Sequence, residues 1–233
     1  LFILSQNLLF YGKDKKQLFS FSMDTLSLES LSSCLTVNVT SDAQRKQNEA
    51  LLAKYKHMPR FVCLLLEIAV NIKKAFASEI ELNAAIQLKN FVMSNWKFTT
   101  NHTYNKSLVF DDEEEIIIIS DEDKLYIKNN IIDAVIYAVN TENAKVLKQL
   151  SQTIKKILKF DFESNWKETY FNKIISCFQS GNDKNVYAGI ILLHQVSKLY
   201  EFETKENIAI YSKELEKVNQ FLLVFLNQCA NLN

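Results

Sequence analysis

Residues 84–96 read AAIQLKNFVMSNW, and the arrangement of the whole chain can be inferred from this segment. At 100° per residue its apolar side chains, extended by Leu82, cover more than half of the helix circumference. Because exposed apolar surface is unfavourable in water, such a helix needs cover on more than one side. Lys89 falls inside the apolar arc, so we expect its stem to lie along apolar surface with the ammonium group at the edge. The sequence therefore predicts a helix that packs between other helices.

The composition extends this prediction to the whole chain. Its 233 residues include only 3 glycines and 1 proline, while 48% are hydrophobic and 23% are charged. Ordinary proteins contain about 12% glycine and proline together, and β-rich folds use these residues at their turns. Their scarcity favours long helices joined by polar corners, so we predict an all-α fold.

Residues that begin or end helices occur at several places. Ser78, with Glu81 three residues further on, predicts a capping box. Ser120 and Thr141 are expected to begin two further helices, because a short polar side chain can accept from free amide groups. Pro59 suits the first turn of another helix. These signals divide the chain into helices separated by short corners.

The predicted helices form pairs that repeat. The second helices of the pairs are expected at Asp42–Tyr55, Ser78–Trp96, Thr141–Lys159 and Asp183–Tyr200, the last one following a helix over about 163–180 and a corner at Gly181. Their mid-points at Leu51, Leu88, Leu150 and Leu193 are 37, 62 and 43 residues apart, and the widest gap contains an acidic insertion over residues 97–119. Without the insertion the period is roughly 40 residues, which is typical of HEAT-like α-solenoids.

The chain is expected to divide into three parts. Residues 1–22 have neither a clean helical period nor a secretory signal, so we expect a non-native or disordered leader before Met23, with an authentic extension as the alternative. Residues 23–119 are expected to form a domain of two helix pairs plus the insertion. Residues 120–233 are expected to hold further repeats that are truncated, with an apolar helix at 215–229 that self-associates or folds back onto the stack.

Several segments occur along the chain in an order that one family shares. The first are SDAQRKQNEALL (41–52), MPRF (58–61) and AAIQLKNF (84–91) with Trp96. The later ones are ISDEDK (119–124), IKNNI (127–131), FDF (160–162) before Trp166, YAGIILL (187–193) and KLYEF (198–202). Together they resemble the N-terminal domain of the importin-β superfamily of nuclear transport receptors. The importin seven/eight branch is the most similar, followed by the cellular-apoptosis-susceptibility exportin. The family commonly has a proline where this chain reads Glu163-Ser164-Asn165 and Asn140-Thr141, so loops are expected to differ there.

The resemblance implies an α-solenoid that carries protein cargo across nuclear pores under the control of the GTPase Ran. In the family, the second helices of the first repeats hold Ran-GTP on their concave side. Lys89 and Asn90 are the matched positions nearest to that contact, and Arg45 is a further candidate with a structural role as the alternative. The residues of the structural motif are Trp96, Asp161 and Trp166.

The same resemblance implies partners and a location. The partners are Ran-GTP, protein cargo and nucleoporins, and the protein shuttles between cytoplasm and nucleus through pores of the nuclear envelope. Asp111–Glu115, a run of five acids, could attract basic cargo, with a solvated loop as the alternative. The competing function is a HEAT-repeat scaffold or adaptor without GTPase control, because architecture alone does not decide function.

Other classes of function find little support in the sequence. Equal numbers of basic and acidic residues, 27 each, lack the basic excess of a nucleic-acid-binding protein, although local basic patches stay open. We expect no enzyme and no cofactor, because no nucleotide-binding or nucleophile motif is present. Four widely spaced cysteines, at 34, 63, 177 and 229, are expected to be buried thiols rather than zinc ligands. The longest apolar stretches are too short for membrane insertion.

Overall fold

A computed structural model describes residues 25–36, 41–98 and 117–201, together with scattered helical positions between 212 and 227. In these ranges every regular element is a helix, which agrees with the all-α prediction. The α-helices are α1 (Leu28–Cys34), α2 (Asp42–Tyr55), α3 (Phe61–Val70), α4 (Ser78–Asn95), α5 (Asp121–Asn140), α6 (Ala144–Asp161), α7 (Lys167–Gln179) and α8 (Asp183–Tyr200), and a π-helical turn at Phe162–Trp166 joins α6 to α7.

The helices pack as pairs in two layers. Helix α3 packs on α4, α5 on α6, and α7 on α8. The second helices α4, α6 and α8 lie side by side in one layer, while α1, α3 and α5 follow one another in the other. This arrangement confirms the HEAT-like α-solenoid, in which each pair buries its apolar faces against its neighbours.

Helix α4 is enclosed as its sequence predicts. Ala84, Ala85, Leu88 and Val92 are all fully buried, because α3 covers one side of the helix and α6 another. The small alanine side chains allow the neighbouring backbones to approach closely. The apolar arc of α4 therefore forms the contact between the second and third helix pairs.

The capping box predicted at Ser78 is wrong. Helix α4 has Ala77 as its N-cap residue, and no side chain caps it. The Glu81 carboxylate instead accepts hydrogen bonds from the side-chain amides of Asn71 at 2.6 Å and Asn143 at 2.9 Å. The Glu81 carboxylate is therefore bound by two side-chain amides at the corners of neighbouring pairs and does not cap its own helix.

Two other helix starts differ from the expectation. Thr141 ends α5, and the side chain of Asn143 caps α6 by accepting from the Val146 N–H at 3.3 Å. Helix α3 begins at Phe61, beyond Pro59, after a residue in the left-handed conformation, Arg60 at φ 66°. Asn143 caps α6 in place of Thr141 because its side chain also accepts well from free amide groups, whereas Pro59 lies outside the first turn of α3, which begins after Arg60.

A carboxylate from a different helix caps α3. Asp123 on α5 accepts from the Arg60 backbone N–H at 3.0 Å and from the Cys63 Sγ at 3.2 Å. Asp123 is itself buried, and its own backbone N–H donates to the Ser120 hydroxyl, as predicted for the residue that begins α5. This capping contact fixes α3 against α5 from a distance of 60 residues along the chain.

Three smaller expectations concern Gly181, the cysteines and the membrane. Gly181 occupies the predicted corner at φ 64°. Cys34, Cys63 and Cys177 are free and buried, as predicted, and burial raises the pKa of all three thiols, to about 11 at Cys177. Cys229 lies outside the described residues. None of the helices in the described ranges is long and apolar enough to cross a membrane.

Parts of the predicted organisation lie outside the described residues. These are the leader at 1–22, the acidic run Asp111–Glu115 and most of the apolar helix at 215–229. At the end of the insertion, Ile119 is buried, and the Ile117 N–H donates to the Asn95 side chain at 3.0 Å. Ile119 therefore packs in the core just before α5, whereas the neighbouring Ile118 is 47% exposed. In the last helix, Val218 is buried in the same core.

Candidate partner-binding surface

Helix α4 places Lys89 and Asn90 at the border of its buried face. Asn90 is exposed and Lys89 is half-buried, one residue beyond the fully buried Leu88. Among the described residues, no carboxylate lies within 4.0 Å of the Lys89 ammonium group. Both residues therefore lie on the second-helix layer, and Lys89 forms no ion pair with the described residues.

Arg45 lies on a different helix from the other two contact candidates. It is on α2, which packs mainly on α1, whereas α4 packs on α3 and α6. Its guanidinium pairs with Asp42 on the same helix at 3.1 Å, and both side chains are largely exposed. An exposed pair of this kind contributes about 0–1 kcal/mol. Arg45 thus has no part in core packing, and its side chain is available on the surface.

Trp96 closes the end of α4. Its ring is almost completely buried, and the Lys124 ammonium group lies 5.8 Å from the ring centroid. The same ammonium group donates a hydrogen bond to the Phe98 carbonyl at 2.7 Å. Lys124 is buried, and this burial lowers the pKa of its amine. A lysine of α5 therefore satisfies a carbonyl just past the C-terminal end of α4, where positive charge is favourable.

Asp161 and Trp166 meet at another lysine of α5. The Lys128 ammonium group pairs with the Asp161 carboxylate at 3.1 Å, and both side chains are mostly buried. The Trp166 indole N–H donates to the Lys128 carbonyl at 3.2 Å, and its ring packs edge-on against Tyr170 at 5.3 Å. These contacts join α5 to both ends of the π-helical turn. One residue thus links the two motif positions that the sequence singled out.

Lys124 and Lys128, four residues apart on α5, each bind the C-terminal end of a second helix. Lys124 holds the C-terminal end of α4, and Lys128 holds the C-terminal end of α6. Residues four apart lie on one face of a helix. Helix α5 therefore positions two neighbouring second helices together, and with them the surface that these helices present.

The solvent side of α6 is a row of lysines that the sequence reasoning missed. Helix α6 packs on α4, α5 and α8, which leaves one side open. Four exposed lysines lie on that side at helical spacing, and a half-buried fifth adjoins them: Lys145, Lys148, Lys155, Lys159 and Lys156. We call these five residues the α6 lysine ridge. The sequence signal for this row is the polar stripe opposite Leu147, Leu150 and Ile154. The helix was predicted from the apolar stripe alone.

An open groove of about 1000 Å³ lies at the C-terminal end of this ridge. It is lined by Lys155, Lys156 and Lys159 from α6, by Lys198 near the end of α8, and by two acids, Glu163 and Glu201, of which Glu201 pairs with Lys198 at 2.8 Å. Two large apolar side chains share it, Phe160 with 43% of its surface exposed and Met93 with 46%. The groove therefore combines positive charge with accessible apolar surface.

The described residues contain no group of three His, Cys, Asp or Glu side chains that could hold a metal ion. Helices α4, α6 and α8 form a layer with exposed polar and charged side chains on a packed support. Such a layer presents side chains to a macromolecule rather than enclosing a small substrate.

Comparisons with known proteins agree with this fold. Residues 48–137 match the Importin-beta N-terminal domain family, from within α2 to within α5. The resemblance to the importin-β superfamily is therefore confirmed, with a domain match that includes Lys89, Asn90 and Trp96.

Two curated relatives cover a larger part of the chain. Importin-8 from Danio rerio is 27% identical over 179 residues, which are 77% of this chain. An Importin beta-like SAD2 homolog from Arabidopsis thaliana is 22% identical over 190 residues, or 81% of the chain. In both cases the chain spans only 16% of the length of the relative.

Proposed function

We propose that this chain is the Ran-GTP-binding region of a nuclear transport receptor. The observation that carries the proposal is the match of residues 48–137 to the importin-β N-terminal domain. A helix layer whose exposed polar tips are free of structural tasks supports it, because a rigid array can present a large surface without a cost of ordering. The receptor would carry protein cargo, contact nucleoporins and shuttle between cytoplasm and nucleus.

Within this proposal, Lys89 and Asn90 contact the GTPase, and Arg45 is a second contact from α2. Lys89 is the most informative of the three, because its ammonium group is unpaired within the described part of the chain and sits at the edge of a rigidly packed helix. Trp96, Asp161 and Trp166 act indirectly, by fixing the ends of α4 and α6.

The first experiment measures the binding of purified chain to Ran loaded with GTP and to Ran loaded with GDP. We expect binding to the GTP form only. A HEAT scaffold without GTPase control, the competing function, would bind neither form or both equally.

The second experiment tests the site with Lys89→Glu. We expect this reversal of charge to weaken Ran-GTP binding by about 1–3 kcal/mol, while the helical circular dichroism stays unchanged. Lys73→Glu is the matched control, since Lys73 is exposed in the corner between α3 and α4. If both variants bind like the unaltered chain, Lys89 is not a contact.

A further inference from the structure

The α6 lysine ridge concentrates positive charge that the fold does not neutralise. Helix α6 contains five lysines and one acid, Asp161, whose carboxylate pairs with Lys128 on α5. Within the described residues, no ridge lysine has a carboxylate within 4.0 Å. The chain as a whole has 27 basic and 27 acidic residues, so the positive excess on α6 is a local feature.

The like charges are close enough to disfavour each other. The pKa of Lys156 is lowered first by burial and then by the charges of Lys97 and Lys159. Lys97 follows the end of α4, so the positive field extends across two neighbouring second helices. An anion bound at this place would relieve the repulsion, because opposite charge favours the protonated amines.

The groove beside the ridge indicates which kind of anion fits. All of its cationic groups are lysines, compact point charges that can pair with the carboxylates of an acidic segment. Phe160 and Met93 add exposed apolar surface that a side chain of a peptide can cover. The Lys156 ammonium group lies 5.2 Å from the centroid of the Phe160 ring, so positive charge and apolar surface adjoin at this place.

We propose that the α6 lysine ridge binds an acidic peptide segment of a partner protein, with an apolar side chain of that segment seated on Phe160 and Met93. Lys145 and Lys159 are about 21 Å apart along the helix, at 1.5 Å per residue. A short extended peptide, with acidic side chains that pair with successive lysines, can span that length. The site adjoins the proposed GTPase contact, because Met93 lies four residues from Lys89 on α4, but its test does not depend on the proposed function.

The test uses the whole chain and a fluorescent synthetic peptide of glutamates and aspartates with one central phenylalanine. Anisotropy is measured without Ran, at low and at raised salt. We expect binding that weakens with salt, and an about tenfold or larger loss of affinity when Lys155, Lys156 and Lys159 are all changed to Gln. The matched control changes Lys46, Lys56 and Lys73 to Gln, which removes equal charge elsewhere and is expected to leave affinity within about twofold.

A second pair of measurements isolates the apolar part of the site. Phe160→Ala should weaken the phenylalanine peptide several-fold and leave a peptide with alanine at that position unaffected. This difference keeps the assignment testable even if the triple lysine variant fails to fold, which circular dichroism would show.

Three outcomes would overturn the proposal. The control variant could lose as much affinity as the ridge variant, which would show a general charge effect. A single-stranded RNA of similar charge could bind as tightly as the peptide. The peptide could bind only after Asp111–Glu115 are changed to Ser and Asn, which would show that the chain's own acidic run occupies the ridge.

Discussion

Helices α4 and α6 are the second helices of successive pairs, yet their solvent-exposed faces carry different side chains. Toward the core both are apolar, with Leu88 and Leu150 fully buried at their centres. Toward solvent, α4 shows Met93 and the neighbouring Lys89 and Asn90, whereas α6 shows the lysine ridge. Packing in the solenoid constrains only the inner face, so each second helix is free to carry a different recognition surface.

The two helices are also held by different chemistry at their C-terminal ends. Lys124 reaches a carbonyl and an aromatic ring beyond α4, while Lys128 reaches a carboxylate at the end of α6. We therefore expect α4 and α6 to respond alike to substitutions on their buried faces. Substitutions at their C-terminal ends and on their solvent-exposed faces should have different effects in the two helices. Each of these parts can be tested by a matched pair of substitutions.

The largest effect is expected at the shared inner face. Leu88→Ala and Leu150→Ala each remove a fully buried side chain and should each lower the free energy of unfolding by about 2–5 kcal/mol. Urea unfolding followed by circular dichroism measures both. Leu125→Ala, at a side chain that is 56% exposed on α5, should stay within about 0.5 kcal/mol of the unaltered chain. A much smaller loss at Leu88 or Leu150 would show that the two helices are not equally enclosed.

A smaller effect is expected at the helix ends. Lys128→Met removes a mostly buried ion pair with Asp161 and should cost about 1.5–3 kcal/mol. Lys124→Met removes a bond to a carbonyl but also relieves the burial of a charge, and should cost about 1 kcal/mol or less. Thermal and urea unfolding of both variants give the comparison. If Lys124→Met lowered the free energy of unfolding more than Lys128→Met, the contacts of Lys124 with the Phe98 carbonyl and the Trp96 ring would contribute more than the ion pair of Lys128 with Asp161.

The smallest effect is expected at the outer faces, and it has the opposite sign. Lys156→Gln removes one of the crowded charges and should raise the free energy of unfolding by about 0.2–0.5 kcal/mol at neutral pH. Lys89→Gln should leave the free energy of unfolding unchanged, because the Lys89 ammonium group forms no ion pair within the described residues. A loss of stability in Lys156→Gln would mean that the contact of the lysine with Phe160 outweighs the repulsion.

The pH dependence of that gain follows from the pKa of Lys156. Its folded-state pKa is lowered, so the unfolded chain binds the proton more tightly and the charged lysine costs stability at neutral pH. That cost falls as the pH rises through the folded-state pKa toward the ordinary value of 10.5. The stability difference between Lys156→Gln and the unaltered chain should therefore shrink over this range in urea titrations, and a difference that grows with pH would contradict the assignment.

Much of the helix layer was predictable because it depends on local spacing. The arc at 84–96, the second helices and the corner at Gly181 all follow from apolar period and backbone preference. Helix starts were less predictable, because Glu81 and Asp123 serve residues of other helices rather than their own. The candidate contacts Lys89 and Asn90 came from a resemblance. The lysines of α6 form a polar stripe in the sequence, but a binding surface could not be inferred from it without knowing which side of α6 is exposed to solvent.

Sequence periodicity was therefore enough to indicate most of the helices, although not α1 or the π-helical turn, and to show that they pair with a period near 40 residues, because these features depend on side-chain spacing along a single chain. Only the tertiary structure decided which polar groups meet. Asp161 and Trp166 come together at Lys128, the Arg60 amide finds Asp123, and the ridge stays uncovered between α4 and α8. These contacts join residues far apart in the chain, and their partners are chosen by the way the pairs stack rather than by any pattern along the sequence.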